Sequence, residues 1–210
     1  MNAGRRTRAA VAVVALLATA CSSQRILMPP RVDLYAFGTI GMLDFSPRAA
    51  DGLHLQATRE FLSAMHAAQP GVPVLELGDQ DAVLHSLGRH MLDPDAIRAI
   101  GKSHHVDVLV VGVLDAQRIE PSLSLGRSAE FLSAGAALEG ALTVRMYDTR
   151  SGATVWSSAV RGREPLANVR LAGGDLAGVA AADPSATASR LICQLVNGAT
   201  ADFWSYWVRG

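Results

Sequence analysis

Six histidines, two cysteines and scattered serines and carboxylates are the residues of this 210-residue chain that could do chemistry. Metal binding needs ligands that converge. His85 and His90 are five positions apart, so they do not share a helical face as an i, i+4 pair would, and Gly88 intervenes. His104 and His105 are adjacent and diverge on either a helix or a strand. His54 and His66 lie twelve apart, and no His-Glu-x-x-His or Cys-x-x-Cys spacing occurs. Each histidine is expected in a surface or loop role, with no metal bound.

Nucleophilic and phosphate chemistry fare no better. There is no Gly-x-Ser-x-Gly elbow, and Ser128, in Gly126-Arg127-Ser128-Ala129-Glu130, lacks a strand-to-helix setting. Gly38-Thr39-Ile40-Gly41 reads as a turn rather than a phosphate cradle. Asp107 and Asp115 flank a strand at opposite ends, roughly 26 Å apart when extended, so they cannot act as a pair. The chain is expected to be non-enzymatic, with no catalytic residue, no cofactor and no small-molecule substrate. A site assembled from distant segments, in an envelope enzyme, is the lesser alternative.

The two cysteines carry more information. Arg5, Arg6 and Arg8 precede an apolar run from Ala9 to Ala20, the pattern of a secretory signal. It ends Leu17-Ala18-Thr19-Ala20-Cys21, and small residues before a Cys resemble a bacterial lipobox. The resemblance implies that residues 1–20 are removed as a signal peptide and that Cys21 is acylated and becomes the first residue. Ser22 stands where an Asp would redirect sorting, which implies the periplasmic face of the outer membrane. Two or more acyl chains hold a protein stably where one is marginal. The other readings are an ordinary signal peptide with a chance Cys, or a short anchor helix. If Cys21 is acylated, Cys193 has no intramolecular partner, and its apolar helical setting marks it as a small core residue.

Composition narrows the partners. Half the residues are hydrophobic and 18% are charged, which excludes a disordered chain. Lys plus Arg equals Asp plus Glu at 19 each, but the first twenty residues hold three Arg and no acid, leaving 16 basic against 19 acidic. A mildly acidic remainder without a basic stripe predicts no nucleic-acid partner.

The elements that must position any site follow from periodicity. Residues 21–31 read as a lipidated tether and 32–210 as a periplasmic domain. Val32 to Thr39 reads as a first strand, with Leu34, Ala36 and Gly38 on one face. Leu55 to Ala68 is a helix with Leu55, Thr58, Leu62 and Met65 at helical spacing and Phe61 beside them, stopped by Gln69-Pro70-Gly71. A short strand follows at Val72 to Leu77. Asp79 caps a helix to Leu87, and Asp93-Pro94 opens another, with Gly101 closing it. Val106 to Leu114, apolar on both faces, is the central strand. Ala136 to Asp148 alternates cleanly, turns through Thr149-Arg150-Ser151-Gly152, and returns at Thr154 to Val160. Residues 162–182, rich in Gly and Ala, read as a long loop. Asp183-Pro184 starts a last helix, through about Phe203, with Ile192, Leu195, Val196 and Ala199 inward. The order predicts one α/β domain with a mixed sheet of about five strands and helices packed on it.

The tail concentrates aromatic residues: Phe203, Trp204, Tyr206 and Trp207 are four of the chain's eleven. If the helix continues, Phe203 and Trp207 share a face and seal the sheet edge, leaving Trp204 or Tyr206 as candidate partner-binding residues.

Three phrases recur together: Leu92-Asp93-Pro94-Asp95-Ala96-Ile97, then Val106-Asp107-Val108-Leu109-Val110-Val111-Gly112, then Asp148 to Gly152 followed by Trp156. With Val32 to Phe37 they resemble a group of envelope lipoproteins. The group includes the curli-secretion channel lipoproteins, the lipoprotein activators of penicillin-binding proteins, and the amino-terminal domain of TolB. The resemblance spans roughly residues 32–201 and implies a TolB amino-terminal-like fold. It also implies a non-enzymatic module that binds another envelope protein or self-associates.

Channel members insert two amphipathic hairpins. The corresponding segments here are 116–135 and 162–182, which are either loops or membrane hairpins. Arg118, Glu120, Arg127 and Glu130 interrupt the first, and Gly173, Gly174 and Asp175 the second, so neither shows a pair of spanning strands of about 9–11 alternating residues. The leading expectation is an outer-membrane-anchored binding or assembly module, with a secretion-channel subunit as the alternative.

Overall fold

A computed structural model describes residues 25–48, 52–125, 131–172, 175–181 and 183–209. The described residues fall into two compact units, one of 25–30 with 205–209 and one of 31–204. The smaller is a two-stranded ribbon. Arg25–Met28 (β1) pairs antiparallel with Tyr206–Arg209 (β9, the ninth strand along the chain). Part of the segment expected as tether is therefore a strand.

In the larger unit the first expected strand is instead a short 3-10 turn at Leu34–Phe37. Asp33 causes this: its carboxylate accepts the Tyr35 N–H at 3.0 Å, offering the backbone a turn in place of a ladder. Gly38 ends the turn at φ 70°. The strand begins later, at Ile40–Leu43 (β2). Ser46–Pro47 (β3) precedes the helix Leu53–Ala68 (α1), which buries Ala57, Thr58, Phe61 and Met65 and leaves Leu55 exposed.

Val74–Gly78 (β4) leads to Gln80–Ser86 (α2) and Pro94–His104 (α3). Both helices are capped as their sequences predict. Asp79 accepts the Ala82 N–H at 2.8 Å and Asp93 the Ala96 N–H at 2.7 Å. Gly101 does not close α3; the helix runs on to His104, and His105 takes the left-handed cap at φ 55°. Gly101 is needed for close approach instead, since a Cβ there would lie 2.3 Å from Thr149 Cβ.

Four long antiparallel strands follow: Val108–Leu125 (β5), Phe131–Asp148 (β6), Thr154–Ala172 (β7) and Asp175–Ala181 (β8). Pro184–Ala199 (α4) comes next, capped by Asp183. A 3-10 turn at Ala201–Phe203 replaces the expected last turn of that helix. The sheet is mixed and seven-stranded, in the order β4-β2-β5-β6-β7-β8 with β3 beside β5. β2 pairs in parallel with β4 and β5, and β5 to β8 form an antiparallel meander.

Helices cover both faces of the central strands. Val108 and Val110 of β5 join Phe61 and Met65 of α1 and Leu195 and Val196 of α4 in the main core. Leu109 faces the other way, against Val83, Ile97 and Ile100 of α2 and α3. Phe45 and Phe61, and Phe61 and Phe203, pack edge to face with centroids 5.3 and 6.1 Å apart, and Trp156 tilts against Phe203 at 4.9 Å. Gly112 permits this packing: a Cβ there would lie 2.3 Å from the Phe45 ring.

The turn between β6 and β7 is fixed by its own residues. Asp148 accepts both the Ser151 hydroxyl and its N–H at 2.7 Å, and Gly152 sits at φ 75°. These two Ser151 bonds hold the Asp148 carboxyl below the usual carboxylate range. A depressed folded-state value means that this group stabilises the fold above the ordinary carboxylate range, and that the contribution is lost as pH falls through the lowered value. Ser151→Ala is expected to move the Asp148 titration back up towards an ordinary aspartate, as read from its carboxyl chemical shift. An unmoved titration would refute the assignment.

Candidate assembly surface

The residues first suspected of chemistry do not converge. Among the described residues no group of three or more His, Cys, Asp or Glu could hold a metal ion. Asp107 is tied into the fold: its carboxylate accepts the Thr39 N–H at 3.1 Å and pairs with Arg150 at 3.2 Å. Asp115 sits further along β5, 3.8 Å from Arg48. His54 keeps Nδ1 buried without a hydrogen-bond partner. Cys193 is exposed rather than in the core, because α4 turns Leu191, Ile192, Leu195 and Val196 inward and Cys193 falls on the opposite side. Cys21 and Ser128 lie outside the described residues.

The tail departs from helical geometry after Ala199. Phe203 is fully buried, as expected, but Trp207 is 62% exposed. Trp204, in extended backbone, is 41% exposed, and Tyr206, in β9, is 36% exposed.

What the sequence reading missed is the continuation of the sheet. Segments 116–125 and 131–135, for which loop and membrane hairpin both stood open, and 162–172 and 175–181, read as a long loop, are strands. Register shifts within both segments. β5 gains a residue on β6 between Ile119 and Ser122, around Pro121. β7 gains one beside Pro165, since Ala137 pairs with Pro165 and Ala136 with Ala167. Proline is tolerated in sheets at such bulges, and a bulge re-aims every residue beyond it.

The consequence is that residues beyond the bulges sort onto two faces, while before them Arg118 and Glu164, the two partners of Leu138, lie on the core-side face. Cross-strand partners share a face, and neighbours along a strand alternate. On β5, the residues of the main core before the bulge are even-numbered: Val108, Val110, Leu114 and Ala116. Beyond it the odd-numbered Leu123 and Leu125 take the same face, paired with Ala134 and Leu132 of β6. Ala134 and Leu132 pair in turn with Val169 and Leu171 of β7, which pair with Val179 and Leu176 of β8. The opposite face carries Ser122, Ser124, Ser133, Gly135, Asn168, Arg170 and Gly178, with Phe131, Ala172 and Ala180 as apolar exceptions. Nearer the domain, Asp115, Glu139, Arg161 and Arg163 line a concavity on that polar face, with Arg163 3.2 Å from Glu139.

Both edges of this four-stranded extension are open among the described residues. β5 pairs with β2 and β3 only as far as Leu114, and from Asp115 onward its one partner is β6. β8 pairs only with β7. On these strands Ala116, Leu138 and Val160 belong to the helix-covered core, and Leu166 is buried further along β7.

No family model matches the chain, and no curated protein matches it. Some solved structures are similar to the chain at low identity. A neuraminyllactose-binding hemagglutinin homolog from Helicobacter pylori is 7% identical with TM-score 0.46, over 77% of this chain and 81% of that one. A PelC dodecamer from Paraburkholderia phytofirmans is 11% identical with TM-score 0.41, over 88% and 99%. The LpoB C-terminal domain from Salmonella enterica is 11% identical with TM-score 0.36, over 60% and 82%.

Proposed function

We propose that this chain is a lipoprotein, held to the outer membrane by acylated Cys21, whose periplasmic α/β domain is a non-enzymatic assembly subunit. Copies join edge to edge through the β5–β8 extension, in the manner of a curli-type channel subunit, and the apolar face of the extension meets the bilayer. One observation carries this reading: beyond their bulges, four consecutive strands gather apolar residues on one face and mainly polar residues on the other, and among the described residues neither edge has a further strand. An open edge is a template for another strand. The meander alternates direction, so β8 of one copy meets β5 of the next antiparallel, and a repeated contact of this kind closes into a ring. Closure removes both edges and places the polar face inside, as membrane barrels require. Trp204 is the candidate contact on the periplasmic side.

The acylated protein extracted in detergent is expected to run as an oligomer and to give discrete conductance steps in planar bilayers. Val179→Lys places a charge on the apolar face, at a cost of about 2–4 kcal/mol near a bilayer midplane. It should abolish conductance while the thermal midpoint stays within a few degrees. A wild-type protein that is monomeric and silent overturns the reading.

A further inference from the structure

The β1–β9 ribbon poses a separate problem. Two short strands alone are marginal in water, yet this pair exposes apolar residues on both faces. The register places Leu27 opposite Trp207 and Arg25 opposite Arg209, so these four share one face. Leu27 is 53% exposed and Trp207 62%. The eight ribbon residues include two arginines and no acid. An apolar pair topped by two cations matches a surface that is apolar below and anionic above.

The position of Cys21 says which surface that is. Cys21 precedes Arg25 by four positions. A chain spans at most about 3.3–3.6 Å per residue, so Arg25 lies within roughly 14 Å of Cys21 whatever path residues 22–24 take. If acyl chains fix Cys21 at the bilayer, β1 is held beside the headgroups, and β9 is held there by its pairing. Tryptophan favours this zone, and arginine extends its guanidinium to headgroup level while its stem stays in apolar surroundings.

We infer that the β1–β9 ribbon is a membrane-surface element: Leu27 and Trp207 enter the interface of the bilayer that holds the anchor, and Arg25 and Arg209 meet anionic headgroups. This rests on acylation of Cys21. The ribbon converts a flexible lipid anchor into one that fixes where both chain ends of the domain meet the membrane.

The test uses the acylated full-length product reconstituted into phosphatidylethanolamine–phosphatidylglycerol vesicles with brominated acyl chains, which quench tryptophan on contact. Wild-type emission should fall, and Trp207→Phe should lose at least half of that quenching. Arg25→Gln with Arg209→Gln should reduce quenching about twofold or more in these vesicles and leave it unchanged in phosphatidylcholine vesicles. Equal quenching in wild type and Trp207→Phe overturns the inference. So does a Trp207 shielded from both brominated lipid and aqueous iodide, which would show the ribbon covered by a second copy. The mass of the Cys21 peptide reports the anchor independently. An acylated protein with unquenched Trp207 overturns the seating alone, and an unmodified Cys21 overturns anchor and seating together.

Discussion

Gln69→Leu is expected to be the most destabilising conservative substitution in the larger unit. Gln69 is buried at the end of α1, and its amide makes three backbone bonds. Oε1 accepts the Leu34 N–H at 2.8 Å, and Nε2 donates to the Val32 carbonyl at 2.7 Å and the Phe203 carbonyl at 3.1 Å. One side chain thus ties the entry of the domain to its exit. Leucine fills similar volume but satisfies none of these groups. A buried polar group left without a partner costs about 1–3 kcal/mol, so the three together should cost roughly 3 kcal/mol or more. At about 2–4 °C per kcal/mol for a domain of this size, the midpoint should fall by about 6–12 °C. Gln69→Glu keeps the acceptor and, once protonated at acidic pH, supplies one donor in place of two, so there it should lie between Leu and wild type. A Leu variant within two degrees of wild type would show that these backbone groups find water instead.

Cys21→Ser is expected to have an all-or-none effect of another kind. Acylation requires the Cys sulfur, so labelled fatty acid should no longer enter the protein, and the chain should accumulate as soluble or unprocessed material. Each buried methylene contributes about 0.8 kcal/mol to membrane attachment, so loss of two or more chains removes an anchor that no polar side chain replaces. Undiminished labelling with normal membrane fractionation would refute the anchor. Oligomer formation by this variant is informative too: if assembly rests on the β5 and β8 edges, the anchor concentrates copies but does not create the contact.

Much of the fold was legible in the sequence. Asp79, Asp93 and Asp183 cap helices because a short carboxylate reaches back to free amide groups within one turn, which is a local event. Ile192, Leu195, Val196 and Ala199 were readable as one buried stripe for the same reason. The turn from Asp148 to Gly152 follows from its own residues in the same way. Local competition explains the misreading at Leu34: period two fitted a strand, but Asp33 bonds the next turn's backbone more directly. Cys193 shows the limit of an apolar window, since a helix that buries one stripe exposes the residues beside it.

The sequence by itself determined the helices and their caps, the turn from Asp148 to Gly152 and the apolar run that precedes Cys21, because each depends on residues within a few positions of one another. Only the tertiary structure decided the length of the sheet and the role of its far end. Alternation along β5 and β7 breaks at Pro121 and Pro165, and a reading of one strand at a time takes the break for a loop. Whether the residues beyond a bulge return to the same face depends on the partner strand, which stays in step while the bulged strand gains a residue. Likewise, Leu27 and Trp207 are separated by most of the chain, and no local pattern makes them neighbours. Their common face exists because backbone pairing joins the two ends.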